Sequence, residues 1–289
     1  MTMIGRRRLM TLGAGAMALT VALRRRAEGS PPATLRWAVD YGAASVPAVA
    51  QGYGLLVLEP HHARPIAPLR GPGSKLLGYV SFGEVERQRP YFAALDKAGA
   101  LGKPNPHWPD ARFVDLRHPA WTNAVIDTIV PAILAKGYDG IFIDTMDNAE
   151  AMERQDPIRN KAMVQAGAAL IAAVRARFPA IRIMLNRGYA LLDSVAPSID
   201  HVLGEAMATR WNFATKAYET LSESDWQWQA DRLRRAAAIN PRLALHTLDY
   251  WDPADPTAVA ALYARERAAG FLPYVSTLAL DRLWPEPGR

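Results

Sequence analysis

Eight short apolar runs, rich in β-branched residues, recur along this chain between segments with helical spacing. They cover residues 35–40 (LRWAVD), 54–59 (GLLVLE), 76–82 (LLGYVSF), 140–144 (GIFID), 181–186 (IRIMLN), 201–205 (HVLGE), 243–249 (LALHTLD) and 271–277 (FLPYVST). Their apolar character is continuous rather than alternating, as in strands buried on both faces of a parallel sheet. Eight such strands alternating with helices over about 250 residues predict a single-domain (β/α)8 TIM barrel across residues 34–284.

The helices carry their own punctuation. His118-Pro119 opens a segment with Trp121, Val125 and Ile129 at helical spacing, stopped by Gly137 and expected to kink at Pro131. Asp156-Pro157 predicts an N-cap for a helix that places Met163, Leu170, Val174 and Phe178 on one face. Ser222 with Asp225 resembles a capping box for a helix ending near Asn240-Pro241. Asp255-Pro256 starts the last long helix, with Val259, Leu262 and Tyr263 inward. Only 45–51 and the Pro/Gly-rich 63–73 separate the first three strands, so those crossovers are expected to be short or irregular.

The net charge of +6 and pI near 9.6 are misleading taken alone. Six arginines and Glu28 lie in residues 1–29, and without them 28 basic residues face 27 acidic ones. No nucleic-acid partner is expected of so balanced a body. The amino terminus reads as a targeting segment: Arg6-Arg7-Arg8, then the apolar 9–23 (LMTLGAGAMALTVAL), then Arg24 to Arg26. Fifteen residues are short for a membrane span, and the paired arginines resemble a twin-arginine export signal. The expected location is periplasmic or extracellular, with the export machinery as a transient partner and membrane contact only if the segment stays uncleaved. The chain has no cysteine, so disulfides take no part.

In a (β/α)8 barrel the carboxyl ends of the strands share one face, and that face holds the site. The strands here end in Asp40-Tyr41, Glu59, Gly83-Glu84 with Glu86, Asp144 with Asp147, Asn186-Arg187, Glu205, Asp249-Tyr250-Trp251 and Ser276-Thr277. Any one acid could be a solvated loop residue, but at least six of the eight strands deliver one to the rim. Crowded carboxylates repel unless protonated, paired with a base such as Arg187, or met by a cation. Glycoside hydrolysis uses that tension, one carboxyl donating a proton while its partner acts on the anomeric carbon or on water. Asp144 and Glu205, on the fourth and sixth strands, stand opposite enough to flank a sugar. Tyr41, Trp108, Tyr189, Trp211, Tyr250 and Trp251 lie in or beside the loops of this face, where flat rings suit the CH faces of sugars.

Other chemistries fit less well. His61-His62 are adjacent and point apart on a loop, so no metal site is expected. Ser81 lacks the Gly-x-Ser-x-Gly elbow, and Gly71 to Lys75 lacks P-loop spacing and a following helix. No cofactor is expected.

The blocks 78–86 (GYVSFGEVE) and 136–144 (KGYDGIFID) with Asp147, then Gly204-Glu205, then Leu248-Asp249-Tyr250, resemble glycoside hydrolase family 114 over essentially residues 34–284. These are the endo-α-1,4-polygalactosaminidases and related TIM-barrel glycosidases. The resemblance implies cleavage of α-1,4-linked galactosamine-rich polysaccharide with retention of configuration, Asp144 as nucleophile and Glu205 as acid/base. It also implies that Asp40, Glu84, Asp147 and Asp249 line the cleft; Tyr41, Asn186, Arg187 and Tyr250 are expected to join them as substrate contacts. An acidic cleft would favour the ammonium group of de-N-acetylated galactosamine. Two other classes stay open at this point: a catalytically silent polysaccharide-binding barrel of the cell envelope, and a metal-dependent hydrolase on the same fold.

Overall fold

The computed structural model describes residues 35–288, and the targeting segment expected over 1–29 lies outside them. The eight expected strands are present as β1 (Trp37–Asp40), β2 (Leu55–Leu58), β3 (Lys75–Ser81), β4 (Gly140–Asp144), β5 (Arg182–Asn186), β6 (His201–Glu205), β7 (Ala244–Tyr250) and β8 (Leu272–Ser276). Each pairs in parallel with the next in chain order. The seam between first and last is spanned by the Trp37 indole N–H donating to Leu272 O at 2.7 Å and by Tyr41 N–H donating to Leu280 O at 2.6 Å. The result is a nearly closed (β/α)8 barrel.

Strand side chains alternate between the two faces of the sheet. Tyr79 and Phe142 meet inside the barrel near its top, while Trp37, His201 and His246 meet lower down. The opposite positions face the helical layer, as when Gly78 on β3 packs so closely on Ile133 that a Cβ would lie 2.5 Å from its side chain.

The crossovers differ in size as the sequence implied. The first contains one helical turn, Pro47–Ala50, and the second only the 3-10 turn Ala67–Leu69. The third crossover ends in Pro119–Ala124, a π-helical turn Val125–Ile129, and Val130–Ala135. Pro131 offers no N–H, and its ring crowds the preceding turn; a widened π turn lies directly before it, where the sequence predicts a kink.

Asp156 does not cap the next helix. That helix begins at Met163 and runs to Arg177, and a separate helix, Asp147–Gln155, precedes it. Arg117 Nη1 grips the carbonyls of Arg159 and Lys161 at 2.9 and 3.0 Å, holding the linking turn, and Glu153 takes the Val164 N–H at 3.0 Å. The capping oxygen therefore comes from the previous helix. Ser222 caps as expected, accepting from Asp225 N–H at 3.1 Å, and Asp255, at the expected start of the last helix, accepts from Ala258 N–H at 3.0 Å.

Two additions rise from the carboxyl-end face. After β3, an antiparallel sheet forms from Glu84–Glu86, Ala111–Val114 and Leu101–Pro104; after β6, a hairpin pairs Thr209–Asn212 with Ala217–Thr220. They wall the mouth on two sides.

Candidate active site

Three consecutive strands end in the same way. Asp144, Asn186 and Glu205 close β4, β5 and β6, and the residue after each is left-handed: Thr145 at φ 65°, Arg187 at 50° and Ala206 at 54°. Such backbone costs a non-glycine residue roughly 1–2 kcal/mol. Thr145 is held there by its hydroxyl, which donates to Asp144 O at 2.7 Å and accepts from Gly83 N–H at 2.8 Å. Gly83 comes so close that a Cβ would lie 2.2 Å from Thr145 O, so only glycine fits.

The inward parity of these strands brings two acids to one amide. Asn186 Nδ2 donates to Asp144 Oδ1 at 2.9 Å and to Glu205 Oε2 at 2.5 Å. Those two oxygens are thus separated by at most the sum of the two bonds, about 5.4 Å. Asp144 also accepts from Thr145 N–H at 2.8 Å and from the Tyr79 hydroxyl at 3.1 Å, and Glu205 from the Tyr250 hydroxyl at 2.5 Å. Burial first, and then the Glu205 charge, push Asp144 up to about 6 against those donors. The same burial and the neighbouring acids raise the phenols of Tyr41, Tyr79 and Tyr250, which stay neutral. Tyr41 packs edge-on against Tyr79 at 4.9 Å.

The remaining expected contacts divide. Asp147 turns toward the neighbouring loop, pairing with Arg187 Nε at 3.1 Å and accepting from Gly188 N–H at 3.0 Å. Glu84 is buried against Asn105 Nδ2 at 2.7 Å, and its carboxyl is raised by that burial. Asp40 and Asp249 are at most 1% exposed. Asp40 accepts from Gly42 N–H at 2.8 Å and from Ser45, while Asp249 Oδ1 accepts from the N–H groups of Ala208 and Thr209 at 2.7 and 2.8 Å. Both face outward on their strands and are buried against the loops they anchor, so each carboxylate is engaged by its own loop.

Charge compensation is also more complete than the sequence implied. Arg89 takes both Glu59 and Glu86, at 3.0 and 2.6 Å. Burial alone would raise Glu59, but His61 and Arg89 outweigh it and hold the carboxyl at about 2. The rim acids are largely paired, and the acid pair joined by Asn186 lies at their centre. Among the described residues no group of three or more His, Asp or Glu is placed to hold a metal ion.

Tyr79, Asn105 and Arg89 escaped the reading of strand ends. Tyr79 precedes Ser81, which lies opposite Asp144 in the ladder, so the clue was there only once register was known. On the hairpin side, Trp211, Tyr218 and Trp251 form a ring cluster at 4.9 and 6.3 Å. Trp108 is exposed on the opposite wall.

A barrel that carries two hydrogen-bonded acids across its mouth, on the fourth and sixth strands, has the architecture of a glycoside hydrolase. Residues 18–287 match the model of glycoside-hydrolase family GH114, and the chain belongs to that family. The glycoside hydrolase domain of PelA from Pseudomonas aeruginosa is 26% identical, with a TM-score of 0.77 over 87% of this chain and 98% of that one. Ega3 of Aspergillus fumigatus, solved in complex with galactosamine, shares the fold at 16% identity, with a TM-score of 0.62 over 88% of this chain and 95% of that one. A Deinococcus radiodurans protein, itself uncharacterized, is 28% identical over 225 residues, 73% of this chain and 67% of its own length. The protein is a glycosidase.

Proposed function

We propose that this glycosidase is exported and cleaves α-1,4-linked galactosamine-rich polysaccharide with retention, Asp144 acting as nucleophile and Glu205 as acid/base. The observation that carries the reading is the Asn186 bridge. Retaining enzymes hold their two carboxyl groups about 5–5.5 Å apart, inverting ones roughly 6.5–9.5 Å. The upper bound set by the two bonds to Asn186 favours the first class.

In the first step, Glu205 gives its proton to the glycosidic oxygen, the bond to the anomeric carbon breaks, and an Asp144 oxygen bonds that carbon. In the second, Glu205 takes a proton from water, whose oxygen displaces Asp144 and restores the original configuration. Three donors on Asp144 suit its ionised form, and one proton kept between two close acids supplies the other half of the pair.

Galactosamine as the sugar is supported by the resemblance to family 114 and by the ligand of Ega3. Pairing of Glu59, Glu86 and Asp147 with arginines narrows the charge-matching idea: an ammonium group would meet the Asp144–Glu205 pair rather than a broadly acidic cleft. Export rests on the arginine-flanked apolar segment within residues 1–29.

The test is reducing-end release from α-1,4-galactosamine oligomers, with the anomer of the fresh product read by NMR. Wild type should release the α-anomer first, and Asp144→Asn and Glu205→Gln should lose at least about a thousandfold. Undiminished activity in either variant would sink the roles, and a β-anomer would sink retention.

A further inference from the structure

We propose that Gln229 is a positioning residue for Glu205, clamping the turns after β5 and β6 to each other behind the two acids. The inference rests on the reading of Glu205 as the acid/base. Gln229 lies in the helix Glu223–Ile239, is 6% exposed, and uses both ends of its amide. Nε2 donates to Ala206 O at 2.8 Å, and Oε1 accepts from the Tyr189 hydroxyl at 2.7 Å. A carbonyl only accepts, which fixes the end of the amide that faces Ala206.

The two partners sit at sensitive places. Ala206 follows Glu205 and holds a left-handed backbone at φ 54°. Tyr189 opens the helix Tyr189–Val195, two residues after the left-handed Arg187 and three after Asn186. Its ring is fixed by Trp228, edge to face at 5.3 Å, with the Arg187 guanidinium over it at 5.8 Å. In front, Asn186 joins the acids; behind, Gln229 joins the two turns that carry Asn186 and Glu205.

Strain at Ala206 gives the rear tie its purpose. A left-handed alanine relaxes toward negative φ unless its surroundings prevent it. That relaxation would turn the peptides on either side of Ala206 and pull the Ala206 carbonyl away from its amide donor. Gln229 opposes both. Glutamate in its place would keep an acceptor for Tyr189 but set an oxygen against Ala206 O.

Kinetics on α-1,4-galactosamine oligomers test this with Gln229→Leu, Gln229→Glu, Tyr189→Phe and, as reference, Glu205→Gln. Gln229→Leu should lose about 10–100-fold in kcat with KM changed less than about threefold, because the acid is displaced while sugar contacts remain. The alkaline limb of its pH profile, set by the proton on the general acid, should move. Tyr189→Phe should lose about 3–10-fold, and the double variant should be no worse than Gln229→Leu, as expected of members of one network. Where Gln229→Leu fails to fold, Gln229→Glu and the single-oxygen change in Tyr189→Phe carry the test. Folded variants with unchanged kcat and pH limbs, beside an inactive Glu205→Gln, would overturn this proposal alone. An active Glu205→Gln would overturn the reading beneath it.

Discussion

Asp249 and Tyr250 are neighbours in the chain and work on opposite sides of β7. The Tyr250 hydroxyl donates to Glu205 at 2.5 Å in the barrel mouth, while Asp249 receives the N–H groups of Ala208 and Thr209 outside it. Asp249→Asn keeps an acceptor and should leave KM within about twofold, whereas Asp249→Ala orphans two buried N–H groups at about 1–3 kcal/mol each. Oligomer kinetics and urea titration read the two effects. A tenfold rise in KM for Asp249→Asn would return this acid to the substrate.

The shared amide of Asn186 leads to a second expectation. Asn186→Ala leaves two close carboxyls with no donor between them, and kcat should fall about a hundredfold. Unchanged kinetics in a folded Asn186→Ala would deny the bridge any part in the reaction.

Burial raises Asp144, but the repulsion that helps carry it to about 6 is absent while Glu205 holds its proton, so the acid limb of the rate profile should lie above the ordinary carboxylate range and below about 6. Below that limb the carboxyl is protonated and cannot attack, so kcat/KM should fall tenfold per pH unit. Linkage runs the other way for stability. The folded state holds this proton more tightly than the unfolded chain, whose carboxyl titrates near 3.9, so the fold gains as pH falls from about 6 toward 3.9 and has lost that gain above about 6. Asp144→Asn should therefore be inactive yet more stable at pH 7.5, by roughly 1–2 kcal/mol after allowance for solvent at the mouth. Calorimetry showing a lower Tm would contradict this.

His201 and His246 touch at 3.1 Å low in the barrel, and burial holds His201 down to about 4 and His246 well below its usual range. Below about pH 6.5 the unfolded chain binds protons that the folded one refuses, so this pair withdraws stability as pH falls toward 4. Replacing His201 with Gln should flatten the decline between pH 7 and pH 5 by about 2 kcal/mol. Urea midpoints of the two proteins, compared at both pH values, isolate this contribution from that of the buried acids. Equal slopes would count against it.

The barrel itself was legible because continuous apolar runs leave few alternatives to strands buried on both faces. Asp144, Asn186, Glu205 and Tyr250 could be picked out as strand ends. Parity was harder: Asp40 and Asp249 end their strands as plausibly as Asp144 does, and only pairing reveals which position faces inward. Tyr79 was hidden for the same reason. The sheet after β3 and the hairpin after β6 are short and mixed in polarity, so tertiary contacts rather than local pattern decide them. The false helix start at Asp156 arose because Arg117 and Glu153, distant or earlier in sequence, hold that turn and cap.

The Trp37–Leu272 bond joins residues 235 apart in sequence. A nascent chain leaving the ribosome can build strands and crossovers in order, yet it cannot shut the ring until β8 has emerged to meet β1. Until then the edge of β1 stands open to any other strand. The interval between emergence of the first strand and arrival of the last is thus when this protein most needs a chaperone.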